Sequence, residues 1–150
     1  MQSTADVASA VGKGLFAGAV GTVFMTVSST VEAKLRGRGS SSAPADAAGK
    51  VLGVQPRDED GQARFSTAIH WGYGIGWGAA RGLIELAEPS PRTAAATHFA
   101  AVWGSSLVML PALDVAPAPW KQPLSGVAMD AFHHMVYAAG TSAAYAVIDR

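Results

Sequence analysis

Four stretches of the chain carry no Asp, Glu, Lys or Arg: Gly14–Val31 (18 residues), Phe65–Ala80 (16), Thr93–Leu113 (21) and Ala131–Ile148 (18). A helix that crosses a bilayer needs about 20 mostly apolar residues, within a range of about 17–25. Three windows meet that length, and the second does if Arg81 snorkels from its end towards the headgroups. The competing reading, a soluble four-helix bundle, needs charges on each outer face every three to four residues. These windows have none. The pattern therefore predicts an all-α polytopic membrane protein with four transmembrane helices at about 12–34, 64–86, 92–112 and 123–148, forming a single domain over residues 1–150.

The polar segments between the windows are uneven. Lys34–Arg64 is the one long hydrophilic stretch. It opens with a Gly/Ser-rich segment at Arg36–Ser42, and Pro44 and Asp46 then suit the first turn of a short interfacial helix, Ala43–Leu52. Asp58-Glu59-Asp60-Gly61 reads as a solvated turn. Glu88-Pro89-Ser90-Pro91 stops one helix and starts the next, and Pro111–Pro123, with four prolines and Trp120, reads as an extended interfacial loop. The loops after the first and third windows hold seven basic residues (Lys34, Arg36, Arg38, Lys50, Arg57, Arg64, Lys121) against four on the other side (Lys13, Arg81, Arg92, Arg150). Basic loops stay in the cytoplasm, so the long first loop is expected there.

Composition narrows the function classes. Eleven basic and eleven acidic residues balance, so no basic face for nucleic acid is expected. The 15% charged content falls below the roughly 25% of soluble proteins. The absence of cysteine excludes disulfides, thiolate metal sites and a cysteine nucleophile. The uncharged run after Lys13 exceeds the roughly 7–15 apolar residues of a signal peptide, so it reads as a retained helix. Gly104-Ser105-Ser106-Leu107 does not form a Gly-x-Ser-x-Gly nucleophile elbow, so nothing favours an enzyme.

Glycines recur at helical spacing. Gly74, Gly78 and Gly82 form one row, Gly72, Gly76 and Ala80 another, and Gly14 and Gly18 a third. Small residues four apart let helix backbones approach closely in lipid, whereas a dinucleotide fingerprint would need glycine where Trp77 stands. Windows two and four also align without a gap, His70 against His134, Tyr73 against Tyr137 and Gly76 against Gly140. Two parallel two-helix repeats would place His70 and His134 at one depth on facing helices.

Ionisable residues at the edges and interiors of the windows are the candidate chemistry. At about 1.5 Å per residue, Glu32, His70, Asp130, His133 and His134 fall in the half nearest the long loop. Asp130 and His134 share a helix face that Tyr137 and Thr141 extend. Such groups are costly in lipid unless paired and mark functional sites by default. Three readings stand: proton or ion handling through the Glu/His/Asp cluster, an Asp–His pair that only locks helices, and a haem or divalent metal site with His70 and His134 as candidate ligands.

The Gly14-Leu15-Phe16-Ala17-Gly18 start of the first helix resembles the YagU-like family of small bacterial inner-membrane proteins. So do the run ending Leu110-Pro111-Ala112-Leu113, the Pro-rich loop with Trp120, and the acidic residue and histidine at Asp130 and His134. The resemblance implies a multi-helix inner-membrane protein with a link to survival in acid, and it carries no catalytic residues. The lipid bilayer is the expected partner, with a homodimer or larger membrane complex through the glycine rows as the scaffold alternative.

Overall fold

The computed structural model describes residues 2–39 and 41–150. Among them the chain is all-α, in five helices: α1 Thr4–Arg36, α2 Ala43–Leu52, α3 Glu59–Glu85, α4 Pro91–Ala112 and α5 Leu124–Ile148, with a single 3-10 turn at Pro119–Lys121. Only α1 and α4 are long and apolar enough by themselves to cross a membrane. The expectation of four spans is thus met by two helices on that measure. α3 and α5 fall short because they concentrate the chain's Gly, His and Tyr.

Helix ends follow local chemistry. Ser3 and Asp6 form a reciprocal capping box at the start of α1, and Gly37 ends it in the left-handed conformation at φ 63°. α1 therefore starts about three turns before the apolar window. Asp58 caps α3, its carboxylate accepting from the Gly61 amide at 2.6 Å, and Glu59 and Asp60 occupy the first turn. The acidic run expected to be a turn is instead a helix start, where carboxylates complement the exposed amides. Ser90 caps α4 with Pro91 next to it.

α1 is the central helix. It runs antiparallel to α3 and α5, while α4 closes the far side against α5 and α3. The packing between α1 and α3 depends on missing side chains. A methyl at Gly14 would strike the Gly78 carbonyl, one at Gly78 the backbone of Gly14 and Gly18, and one at Gly82 the Ala10 carbonyl. Gly74 faces the Thr22 hydroxyl, and Gly21 makes the same close approach to Tyr137 and Thr141 on α5. Gly72 and Gly76 have open space where a side chain would stand. The second glycine row thus takes no part in packing within the chain.

The distribution of side chains is inverted relative to a soluble core. Buried among the described residues are alanines, Tyr137, Tyr145 and one valine, Val102, together with Thr22, Arg81, His98, Ser106, His133 and Thr141. Large apolar side chains point outward instead: Phe16 is 64% exposed, Val27 58% and Val108 71%. In water, Leu, Ile, Phe and Met would fill the interior.

Candidate functional site

The polar residues expected to form one cluster are distributed by α1 into separate sites. At the long-loop end, Glu32 lies one turn from the end of α1 and accepts ion pairs from Arg36 (Nε–Oε1, 3.0 Å) and from Arg38 beyond the helix. The two guanidiniums thus balance the Glu32 carboxylate. His133 on α5 approaches the same carboxylate, Nε2 to Oε2, at 3.8 Å. Its other ring nitrogen, Nδ1, is 2.8 Å from the Ser28 hydroxyl. His133 is buried, and its Nε2 has no hydrogen-bond partner.

His70 meets α1 on another side, its Nε2 2.9 Å from Thr26 Oγ1. The Thr26 hydroxyl gives its single proton to the Thr22 carbonyl at 2.7 Å, so the His70 Nε2–H is the donor to Oγ1. Asp130 turns towards α4, where the Trp103 indole donates to it at 2.9 Å, and it is half exposed. His134 bonds back along its own helix, Nδ1 donating to the Asp130 carbonyl at 2.9 Å, with the Asp130 carboxylate at 3.5 Å. Tyr137 is buried, its hydroxyl donating to the Gly74 carbonyl at 2.6 Å. The inward stripe of α5 is therefore His133, Tyr137, Thr141 and Tyr145, all four buried and four apart. Of the face expected from sequence, Tyr137 and Thr141 do turn inward, but His133 continues it in place of Asp130 and His134. His70 and His134 thus bond on different helices rather than to each other.

Three residues take places that the sequence did not assign them. Ser28 lies four before Glu32 on one helix face, a spacing that could have linked it to the site. His98 is fully buried in α4, its Nε2 donating to the Trp77 carbonyl at 3.0 Å and its Nδ1 unpartnered. Arg81 does not snorkel outward; it is 3% exposed and turned inward. Its guanidinium pairs with Glu85, donates from Nε to Ser142 at 3.3 Å and stacks over the Tyr145 ring at 4.7 Å. A charge inside a helix pair needs such partners, and Glu85 at i+4 was the readable sign of one.

Comparison with known proteins adds no second source. No family model matches the chain, and no curated protein or solved structure matches it. Among the described residues, no group of three or more His, Asp or Glu is arranged to hold a metal ion. What this arrangement can do chemically is accept and release a proton. His133 offers a sheltered nitrogen beside a carboxylate already balanced by two guanidiniums.

Proposed function

We propose that the chain is a four-span integral protein of a bacterial inner membrane, with its long loop cytoplasmic, and that it handles protons through His133 and Glu32. The apolar exterior and the small, polar interior favour lipid as the surrounding solvent, with α3 and α5 crossing beside α1 because their polar side chains face inward. The observation that carries the proton reading is the buried, unpartnered His133 Nε2 lying 3.8 Å from Glu32. Histidine changes charge within the physiological range. Protonation there places a new N–H facing the Glu32 carboxylate. The likeness to YagU-like proteins, with their link to acid survival, points the same way.

The test is proton flux in proteoliposomes loaded with a pH-sensitive dye, with His133→Gln and Glu32→Gln beside the parent. Flux above the lipid background, abolished by His133→Gln and reduced by Glu32→Gln, supports the reading. Background flux in all three samples would sink it.

A scaffold role has one specific observation in its favour, the open row at Gly72 and Gly76. That role predicts that Gly72→Leu or Gly76→Leu breaks self-association while each chain still folds. Gly74→Leu and Gly78→Leu could not report on assembly, because both positions pack within the chain.

A further inference from the structure

At the end of the bundle where α1 begins and α5 ends, an open cleft of about 510 Å³ lies between the close of α3, the start of α4 and the close of α5. Two guanidiniums, Arg81 and Arg92, and two carboxylates, Glu85 and Asp149, line it. Ala95 is one turn inward from Arg92, and Ala146 and Ala143 are one and two turns inward from Asp149. Their small side chains leave an apolar channel between α4 and α5.

Internal pairing leaves a defined set of groups for a ligand. Arg81 commits one N–H to Glu85 and one to Ser142, out of the five a guanidinium carries. Asp149 takes Lys13 on Oδ1 at 2.8 Å, and Glu85 takes Arg81 on Oε2, so each keeps a second oxygen. Arg92 forms no ion pair among the described residues. A ligand matching these groups carries an anion for Arg92 and Arg81, a hydrogen-bonding cation for Glu85 and Asp149, and an apolar chain for the alanines.

We propose that this cleft binds a zwitterionic phospholipid with a primary ammonium headgroup, an inference that rests on the membrane reading above. The lipid phosphate sits on Arg92 and the remaining N–H groups of Arg81. The ammonium donates to Glu85 and Asp149, and one acyl chain follows Ala95, Ala146 and Ala143. A purely anionic headgroup would leave the second oxygens of Glu85 and Asp149 without a donor, and a choline headgroup has no N–H to give them.

The experiment is native mass spectrometry of the protein extracted from membranes in mild detergent. Ethanolamine, glycerol and choline phospholipids with matched chains are added in equal amounts. Arg92→Gln, Ala95→Leu (which fills the channel without changing charge) and Arg57→Gln, which lies outside the cleft, are run beside the parent. One ethanolamine lipid should be retained about tenfold over the others, the scale of a charge-assisted hydrogen bond. Arg92→Gln and Ala95→Leu should lose that preference, and Arg57→Gln should keep it. Equal retention of the three lipids, preference for the glycerol lipid, or variants that behave as the parent would overturn the site. So would displacement by free phosphoethanolamine as effective as the whole lipid, since that assigns the cleft to a soluble zwitterion. Protein recovered in the aqueous fraction without detergent refutes the membrane reading itself. A membrane-extracted protein with no lipid preference refutes only this cleft.

Discussion

His133 and His134 are chemically identical and adjacent, yet one faces α1 and the other its own helix backbone. A helix turns about 100° per residue, so the side chain that meets Glu32 is set by the rotation of α5 rather than by its composition. Tyr137→Phe removes the 2.6 Å bond to the Gly74 carbonyl and should cost about 1 kcal/mol in unfolding free energy. An unchanged midpoint would mean that the hydroxyl is replaced there by water.

The α1–α3 pair shows how elements are joined without large apolar side chains. Its contact surface is backbone, brought close by Gly14, Gly18, Gly78 and Gly82; in the proposed membrane setting, dispersion between closely packed chains holds it in place of the hydrophobic effect. Gly78→Leu forces a branched side chain into the α1 backbone. It should destabilise by about 3 kcal/mol or more, since overpacking of even well-adapted cores costs about 1–3. Gly72→Ala, at an open helical position, should instead stabilise by up to about 1 kcal/mol through helix propensity. Reversible unfolding in mixed detergent micelles measures both. The opposite order would mean that the two glycine rows exchange roles. All these glycines were visible in the sequence as rows four apart, but spacing alone left both rows of α3 equivalent.

For the whole molecule, the number of crossings is the deciding quantity. α1 and α4 qualify by length and apolarity, and the proposal adds α3 and α5 as helices whose polar side is covered by α1 and α4. The chain has no cysteine, so single-cysteine variants report without background. Ser41→Cys in the long loop and Ala87→Cys between α3 and α4 should react with a membrane-impermeant maleimide from opposite sides. Labelling from the same side would mean that α3 does not cross. The seven-to-four bias of basic residues predicts that Ser41→Cys is the cytoplasmic one.

The all-α class was legible in the residues alone, because charge-free runs, the Ser90-Pro91 start and the glycine helix ends are local signals. The same local chemistry, read one step further, would have turned Asp58-Glu59-Asp60 from a turn into a helix start. Tertiary structure decided what each helix turns inward. It buried Arg81 and His98, divided the expected polar cluster between α1 and α4, and selected Gly74, Gly78 and Gly82 over Gly72 and Gly76. The physical reason is that an apolar stripe orients a helix only where water lies on the other side. Here the apolar residues surround the helices, and the close approach of glycine backbones sets the rotation that brings His133 to Glu32.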